Sequence, residues 1–440
     1  MKISKFVYYV EKNDKVLCYN TLHDTMLAMS SKAYNSFSTG DILDFEKKYP
    51  NSYQGLLQNQ FIIDDAIDEL ALVRMCNKLE TFYNREFQLT VLPSMDCNLQ
   101  CWYCYETHIP ESRMNEDVQN GIIKHVGSKI ENKEISGLFL EFYGGEPLLD
   151  FNRIAYPLSK KLKSLCEQHN LPFRTFFVTN ASLVNEEMVE KLSEINPTFQ
   201  ITVDGPKARH DKIRFLKKNK EGTYEKIVNA LYQLTEKIEN TYITIRINFD
   251  EKTLENIDDL LKDLSGLKKD LVTIHFERVW QTDSSQNNIE LKNVINKFII
   301  NGFKISYINW HRRGSACSAE RYCQMVVNYN GDVFKCTGRE FKEENSDGKL
   351  DMNGVVEWKP GRFERRVGNT TFENHMCLNC KMLPVCMGPC SQKQMEAGAD
   401  NLHDVCTLNS LEMKMNEYIE YTFNNMLTSN KGESYYVTAS

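Results

Sequence analysis

No part of this 440-residue sequence reaches the ~18 consecutive apolar residues that a membrane-spanning helix needs. The nearest candidate, residues 294–308, is interrupted by Asn, Lys and Gly. The first fifteen residues contain neither a long apolar stretch nor a small-residue cleavage site. We therefore see no secretory signal and expect a cytoplasmic protein. The net charge of −7 provides no basic excess, so neither nucleic acid nor a membrane is expected as a partner.

The composition is that of a soluble globular protein, with 41% hydrophobic and 26% charged residues. Its unusual feature is fourteen cysteines. Cytosolic thiols are kept reduced, so a disulfide framework is not expected and metal or redox chemistry becomes the better explanation. Three cysteines lie between positions 97 and 104, and eight lie between 317 and 406. The other three, Cys18, Cys76 and Cys166, lie in apolar patterns and are expected to pack in the core.

The first 84 residues predict a small module. Apolar runs at residues 5–10 and 16–19 flank a polar turn, which predicts a β-hairpin. Short helical patterns follow, the first capped by Ser30 or Ser31 and the others at residues 42–48 and 53–58. Strands followed by short helices resemble a winged-helix domain.

From residue 87 the pattern alternates between strands and longer amphipathic helices. Six strands are predicted, at residues 89–92, 138–143, 174–179, 199–203, 242–248 and 271–277. Repeated strand–helix units predict a parallel sheet, and thus an α/β fold with a partial (β/α)6 TIM-like barrel. The basic runs at residues 212–220 and 362–366 are most simply solvated faces, although contact with an acidic peptide stays open.

The chain after Cys317 breaks into short segments rich in Cys and Gly, which predicts a region organised by its ligands. A closing helix is expected at residues 408–426. We therefore predict an N-terminal domain at residues 1–84, a barrel at 85–310, a Cys-rich iron–sulfur domain at 311–426 and a tail at 427–440.

The first cysteine group has the spacing Cys97-x3-Cys101-x2-Cys104 and follows the first barrel strand. Three thiolates can hold three irons of a four-iron, four-sulfur cluster, which leaves the fourth iron open to a chelating ligand. Packed core cysteines or an incomplete zinc site are alternatives. The polar neighbours Asp96 and Asn98 make poor core material, which favours the cluster.

This segment resembles the signature of the radical S-adenosylmethionine enzymes, C-x3-C-x-aromatic-C, with Tyr103 at the aromatic position. The resemblance implies that the open iron binds the amino and carboxylate groups of S-adenosylmethionine. It further implies reductive cleavage to a 5′-deoxyadenosyl radical that abstracts hydrogen from a substrate. Tyr103 would lie near the adenine.

Further cofactor contacts are implied by later segments. The family's GGEP motif, which contacts the methionyl amino group, is matched by Gly144, Gly145, Glu146 and Pro147. Its glycines would let the backbone approach a ligand closely. Asn180 ends a strand, and Thr202 stands at the serine of an S-x-D-G-P stretch that contacts the cofactor carboxylate. Asn180 and Thr202 could instead satisfy backbone groups at strand ends.

The second cysteine group resembles the SPASM extension of the same family. Eight thiolates are the right number for two closed four-iron clusters, which would bring the total to three. The resemblance assigns one auxiliary cluster to Cys317, Cys323, Cys336 and Cys390, and the other to Cys377, Cys380, Cys386 and Cys406. Two zinc sites, each held by four cysteines, are the alternative, because C-x2-C is also a zinc spacing.

Enzymes with this extension mainly modify peptides, and the N-terminal module resembles a domain that binds a leader peptide by strand addition. A covering subdomain without a binding role stays open. We predict a maturase that installs a thioether or carbon–carbon crosslink in a ribosomally made precursor peptide, with an external electron donor such as flavodoxin or ferredoxin.

Two other functions are considered. In the formylglycine-forming sulfatase maturases an Asp follows the cysteine equivalent to Cys336, and Thr337 stands here instead, which weighs against that activity. A zinc-stabilised peptide-binding protein is the non-enzymatic alternative. No catalytic acid or base is assigned, although four residues adjacent to motifs are candidates: Glu106, Asp204, Glu277 and Arg278.

Overall fold

The structure is a computed structural model that describes residues 1–279, 281–282, 288–307, 317–368, 371–397, 403–410 and 414–428. The chain packs as two compact units. The described residues of the first lie in 1–83, 317 and 368–428, and those of the second lie in 84–307 and 318–367. These units are defined by packing, so the predicted division at residues 84, 310 and 426 stays a prediction.

The first unit begins with five strands: β1 (Lys2–Ile3), β2 (Val7–Lys12), β3 (Lys15–Asn20), β4 (Thr25–Ser30) and β5 (Ile62–Ile63). β2, β3 and β4 form an antiparallel sheet in that order, and β1 pairs with β5. The predicted hairpin is therefore confirmed. Its turn places Asn13 at φ 56°, a left-handed conformation that asparagine adopts readily.

Four helices complete this module: α1 (Ser31–Ser38), α2 (Ile42–Lys48), α3 (Pro50–Gln58) and α4 (Glu69–Lys78), the last continuing into a π-helical turn at Leu79–Tyr83. Ser30 is the cap of α1, because its Oγ accepts a hydrogen bond from Ala33 N at 3.2 Å. The third helix begins earlier than predicted, because Pro50 is well suited to a first helical turn.

The second unit contains a mixed sheet of eleven strands. Seven are parallel and adjacent in chain order: β6 (Glu86–Val91), β7 (Gly137–Phe142), β8 (Phe173–Thr179), β9 (Thr198–Thr202), β10 (Ile243–Phe249), β11 (Val272–Arg278) and β12 (Lys304–Tyr307). The six predicted strands correspond to β6–β11, and β12 was missed because its four residues are too short to show a pattern. Stacked rings of Phe142, Phe177 and Phe199 join three neighbouring strands, with centroids 4.8 and 6.0 Å apart.

The other four strands are β13 (Gln324–Val327), β14 (Asp332–Phe334), β15 (Gly348–Leu350) and β16 (Val356–Trp358). β13 lies parallel to β6, with Val327 opposite Val91, and β14 to β16 continue antiparallel. The described strand order runs from β12 at one edge to β16 at the other. Part of the Cys-rich region thus belongs to the same sheet as the strand before Cys97.

Nine helices of this unit are described: α5 (Glu116–Glu131), α6 (Tyr156–Gln168), α7 (Glu186–Ser193), α8 (Lys207–Ile213), α9 (Tyr224–Lys237), α10 (Glu251–Leu254), α11 (Ile257–Leu264), α12 (Asn288–Ile300) and α13 (Arg362–Val367). Asn115 and Asn185 cap α5 and α7, because their side-chain oxygens accept hydrogen bonds from the backbone N–H groups of Val118 and Met188. In the described part of the chain, no helix combines the length and the hydropathy of a membrane span.

The first unit also contains α14 (His375–Asn379), α15 (Leu383–Cys386), α16 (Ser391–Ala397) and α17 (Met415–Thr428). α17 overlaps the predicted closing helix, whose residues 411–413 lie outside the described residues, as do residues 429–440 of the predicted tail. Leu383 and Met387 share a buried core with Phe6 and Val73. Thr21 Oγ1 also donates to the carbonyl of Lys381 at 2.5 Å. The N-terminal module and the later cysteine segment therefore fold as one unit.

Candidate active site

A cavity of about 460 Å³ lies at the carboxyl ends of the parallel strands, and we call it the main cavity. It is lined by nine of the residues predicted to bind the cofactor or metal: Cys97, Cys101, Tyr103, Cys104, Gly144, Gly145, Glu146, Asn180 and Thr202. Pro147 is buried at the start of a short 3₁₀ helix and does not line the cavity. The structure thus brings together segments more than 100 residues apart.

The loop that carries the three cysteines is held by its polar residues. Ser94 Oγ donates to the carbonyl of Ser112 at 2.6 Å, and Met95 N donates to Ser112 Oγ at 2.9 Å. Asp96 N donates to Ser94 Oγ, and Cys97 N donates to the Asp96 carboxylate, each at 2.8 Å. These bonds explain the polar Asp96 directly before the first cysteine.

Burial raises the pKa of the Cys97 and Cys101 thiols above the ordinary value, and raises the pKa of Cys104 to about 11. Metal ligation requires the thiolate, so metal binding would release these protons. Cys104 is the most exposed of the three, and its Sγ lies 3.6 Å from His108 Nε2.

The two glycines of the GGEP segment pack against the cysteine loop. Gly144 adopts φ 105°, and Glu146 N donates to the carbonyl of Asp96 at 2.8 Å. A Cβ on Gly145 would lie 2.1 Å from the Asp96 carbonyl oxygen, closer than any side chain tolerates. The close approach that the glycines permit is therefore made to the cysteine loop.

The carboxylate of Glu146 is buried and bonded within the protein. It accepts hydrogen bonds from Thr179 Oγ1 at 2.6 Å, Asn180 N at 2.7 Å and Leu148 N at 3.0 Å. Burial raises its pKa, whereas these hydrogen bonds lower it. Glu146 thus ties the end of β8 to the GGEP segment, and its predicted contact with the cofactor stays a prediction.

Arg214 is a site residue that the sequence analysis missed. It lies in the basic run predicted to be solvated, yet only 8% of it is exposed and it lines the main cavity. Its Nη1 donates to Tyr103 Oη at 2.5 Å and lies 3.4 Å from the buried Asp204 carboxylate. The Tyr103 hydroxyl donates to Asp204 and accepts from Asn248 Nδ2 at 3.1 Å.

The prediction of a solvated face is therefore wrong for Arg214, and also for Arg366, of which 2% is exposed. The only sequence feature that could have indicated a site role for Arg214 is its position ten residues after Asp204. A single sequence gives no reason to single out that spacing. Among the described residues, Arg214 Nε has no hydrogen-bond partner. A buried guanidinium with an N–H free to donate fits a carboxylate ligand.

Two of the four catalytic candidates, Glu106 and Arg278, line the main cavity. Asp204 lies beneath it, and Glu277 Oε2 is 3.1 Å from His275 Nε2. The pKa of Glu106 is raised to about 7, because the effect of burial exceeds that of a hydrogen bond from Tyr143, which lowers it.

Glu106 belongs to a chain of polar groups that reaches Thr337. The hydroxyl groups of Tyr143 and Tyr105 are 2.5 Å apart, and Tyr105 Oη donates to the Thr337 carbonyl at 2.8 Å. Glu106 Oε2 is buried without a hydrogen-bond partner in the described part of the chain. An acid therefore lies in the same cavity as Thr337, although not at the predicted position.

Four cysteines of the second group line one cavity of about 110 Å³ in the first unit: Cys377, Cys380, Cys386 and Cys406. This is the set that the SPASM resemblance assigns to one auxiliary cluster. Burial raises the pKa of Cys377 to about 12. Across the described residues, no three histidine, cysteine or acidic side chains already surround the position of a single metal ion. Metal ligation by these residues stays a prediction.

The other predicted auxiliary ligands are divided between the units. Cys323 and Cys336 flank β13 and β14 in the second unit, whereas Cys317 and Cys390 belong to the first. Cys18 and Cys166 are buried, as predicted for packing residues. Cys76 is exposed, so the packing prediction is wrong for that residue.

A family model described as the Radical SAM superfamily matches residues 91–264. The chain carries a radical SAM domain. The matched range begins at the end of β6 and includes the three cysteines, the GGEP segment, Asn180, Thr202 and Arg214. The protein is therefore a radical SAM enzyme.

Two relatives extend the similarity beyond the radical SAM domain. The chain is 22% identical to the radical SAM cyclopropyl synthase TigE of Paramaledivibacter caminithermalis, over 88% of this chain and 89% of TigE. It is 23% identical to a cysteine-type anaerobic sulfatase-maturating enzyme of Clostridium novyi, over 68% of this chain and 86% of that enzyme.

Solved structures share the fold. The protein anSMEcpe with bound AdoMet aligns with TM-score 0.56 and 19% identity, over 79% of this chain and 95% of that one. Streptococcus suis SuiB bound to S-adenosylmethionine aligns with TM-score 0.52 and 14% identity, over 90% and 97%. At these identities the similarity establishes the fold alone.

The residues of the radical SAM domain fit the superfamily's two cofactors, a four-iron cluster and S-adenosylmethionine. Three thiols on one loop are the donor set that such a cluster takes. The main cavity, at about 460 Å³, lies within the roughly 300–1,000 Å³ typical of ligand sites. Arg214 Nε supplies a buried donor suited to the cofactor carboxylate.

Proposed function

We propose that this protein is a peptide maturase that abstracts hydrogen from a ribosomally made precursor peptide and installs a thioether or carbon–carbon crosslink. The observation that carries the proposal is the main cavity, where Cys97, Cys101 and Cys104 meet the GGEP segment and the buried Arg214. The shared fold of anSMEcpe, which has been solved with bound AdoMet and Cp18Cys peptide, supports a peptide substrate.

When bound, the cluster and S-adenosylmethionine supply a 5′-deoxyadenosyl radical that takes a hydrogen atom from the substrate. The protein's own part is to hold the cluster, to orient the cofactor and the substrate, and to exclude water from the cavity. The three thiolates would hold the cluster, and Arg214 and Thr202 would orient the cofactor carboxylate. Asp204 and Tyr103 keep the guanidinium of Arg214 at the cavity wall.

The N-terminal module would bind the leader of the precursor. β2 and β4 are the outer strands of its three-stranded sheet, and such strands accept an added strand through main-chain hydrogen bonds. SuiB, which shares the fold, has been solved bound to precursor peptide SuiA, with TM-score 0.51. Electrons would come from an external flavodoxin or ferredoxin, with two auxiliary clusters held by the SPASM cysteines.

A sulfatase maturase is the second candidate, because several such enzymes are relatives and one observation favours it. Glu106 provides a buried carboxyl in the cavity that Thr337 also lines. An acid could therefore act there although the expected Asp is replaced. The crosslinking proposal remains preferred, because the carboxyl lies on a different loop.

The first test asks whether the radical is generated. Anaerobically reconstituted protein with reductant and S-adenosylmethionine should be brown and release 5′-deoxyadenosine, measured by liquid chromatography and mass spectrometry. Replacing Cys97, Cys101 and Cys104 with alanine should abolish this release. The matched control Cys166→Ala changes a buried cysteine outside the main cavity and should retain it.

A colourless zinc protein without 5′-deoxyadenosine would support the peptide-binding alternative and overturn the proposal. Iron content distinguishes the cluster at Cys97, Cys101 and Cys104 from the two auxiliary clusters, since three four-iron clusters hold about 12 irons per chain. The triple variant should lose about one third of them.

The second test identifies the modification. Short peptides encoded beside the gene are incubated with the reconstituted enzyme, reductant and S-adenosylmethionine, and their masses are measured by mass spectrometry. A cysteine-containing sulfatase peptide is treated in parallel. A crosslink should lower the mass of the peptide encoded beside the gene by two hydrogen atoms. Formylglycine in the sulfatase peptide alone would establish the second candidate, and solvent deuterium in a peptide of otherwise unchanged mass would indicate epimerisation.

A further inference from the structure

The side-chain amide of Asn180 lies beside the first cysteine of the radical SAM motif. Its Oδ1 accepts hydrogen bonds from Ser182 N at 2.9 Å and from Ser182 Oγ at 2.6 Å. A backbone N–H can only donate, so this pairing fixes which end of the amide is oxygen. The amide nitrogen must therefore face the cysteine loop.

That nitrogen has two N–H groups to place. One donates to Asn98 Oδ1 at 2.9 Å, and Nδ2 is 3.9 Å from Cys97 Sγ. Leu99 N donates to the same sulfur at 3.4 Å. Two N–H donors therefore converge on Cys97, which is 7% exposed and thus little screened by water.

A thiolate is a better acceptor than a thiol, because charge strengthens and shortens a hydrogen bond. Hydrogen bonds to cluster sulfurs are among the features that set the reduction potential of an iron–sulfur cluster. They favour the reduced state, since that state places more negative charge on the sulfurs.

We propose that Asn180 is a positioning residue that donates to the Cys97 sulfur and raises the reduction potential of the cluster held by Cys97, Cys101 and Cys104. This inference rests on the proposed function, because it requires that cluster. It assigns Asn180 to the cluster, whereas its position at a strand end predicted a contact with S-adenosylmethionine.

Asn180→Asp tests the inference with little change in shape, because it replaces the donating nitrogen with an oxygen. Asn180→Ala removes the donor without adding charge. The potential of the reconstituted cluster is measured by redox titration followed by electron paramagnetic resonance. We expect the equilibrium constant for reduction to fall about tenfold in both variants, which is about 59 mV for a one-electron couple.

Two further measurements separate this role from a cofactor contact or a merely structural one. The Kd of S-adenosylmethionine for the oxidised protein should stay within about twofold of wild type, a difference of about 0.4 kcal/mol. Ser182→Ala disturbs the same amide at its oxygen end and leaves Nδ2 in place. This control should keep the wild-type potential.

The outcomes are distinct. A wild-type protein that holds no reducible four-iron cluster would overturn the proposed function. A wild-type cluster whose potential is retained in both variants would overturn the role of Asn180 alone. If the variants bind S-adenosylmethionine more weakly at an unchanged potential, Asn180 contacts the cofactor as the sequence predicted, and the inference is refuted.

If neither variant retains a cluster, the wild type decides. In protein labelled with ¹⁵N at asparagine side chains, pulsed paramagnetic resonance of the reduced cluster should show coupling to ¹⁵N. Absence of that coupling would refute the hydrogen bond to Cys97.

Discussion

Gly145 allows two backbone segments to meet at the edge of the main cavity. In Gly145→Ala the new Cβ would lie 2.1 Å from the Asp96 carbonyl oxygen, so the cysteine loop must shift. We expect the reconstituted variant to lose iron and to form little 5′-deoxyadenosine. Iron assay and product quantification measure both effects.

The matched control is Gly127→Ala in α5, where the nearest atom, Leu165 Cδ2, would lie at an ordinary 3.8 Å. This change should preserve iron content and add about 0.5–1 kcal/mol of stability, because glycine is a poor helix residue. Equal iron loss in both variants would contradict the role given to Gly145.

Glu146 is expected to be structural as well as cofactor-facing. In Glu146→Gln an NH₂ group replaces one carboxylate oxygen and cannot accept a hydrogen bond. Depending on which oxygen is replaced, the acceptor is lost either for Asn180 N, which is bonded to Oε2, or for Thr179 Oγ1 and Leu148 N, which are bonded to Oε1. A buried donor without its partner costs about 1–3 kcal/mol. Urea unfolding should show this loss.

The control Glu187→Gln removes an exposed carboxylate that pairs with Lys191 at 2.6 Å on α7. Surface ion pairs contribute little, so its unfolding midpoint should match wild type. If Glu146→Gln is equally harmless, the buried carboxylate does not hold the strand end.

The N-terminal cap of helix α1 is a local feature that the sequence predicts in part. The sequence left Ser30 and Ser31 as possible caps, and the structure assigns the cap to Ser30. Ser30→Ala should cost about 1 kcal/mol in the free energy of unfolding of the first unit. Ser31→Ala is the matched control and should cost less, because alanine suits a first helical position.

Strands were predicted best where their pattern is long. Six parallel strands and their order could be predicted from alternating strands and helices, because each buried strand leaves a continuous apolar run. β12 has four residues and β13 follows Cys323, so neither has enough length to show periodicity. The parallel pairing of β13 with β6 depends on contacts across more than 230 residues.

At the scale of the whole molecule, the first unit is built from both ends of the chain. Leu383 is 1% exposed and shares a core with Phe6 and Val73. Leu383→Ala should cost about 2–5 kcal/mol through the cavity it leaves. We expect faster hydrogen–deuterium exchange in residues 1–83 as well as in residues 371–397.

Leu260→Ala, in the buried face of α11, is the control for the second unit. It should accelerate exchange within residues 84–307 and leave residues 1–83 protected. If Leu383→Ala changes exchange only near its own position, the shared core does not couple the two segments.

The sequence by itself determined the chemistry and the local structure. The spacing of Cys97, Cys101 and Cys104 indicates a three-thiolate site, because ligands on one loop must lie close together. Caps, turns and amphipathic periods are equally local, and the hairpin and most helices follow from them.

Only the tertiary structure decided which distant groups meet. It buries Arg214 from a basic run and turns the Asn180 amide toward a cysteine 83 residues away. It also gives Glu146 two donors from the end of β8, Thr179 Oγ1 and Asn180 N. It also gathers four of the later cysteines in one cavity. The physical reason is that composition and periodicity report which face of an element is apolar, whereas the partner of a buried polar group is chosen by the packing of whole elements.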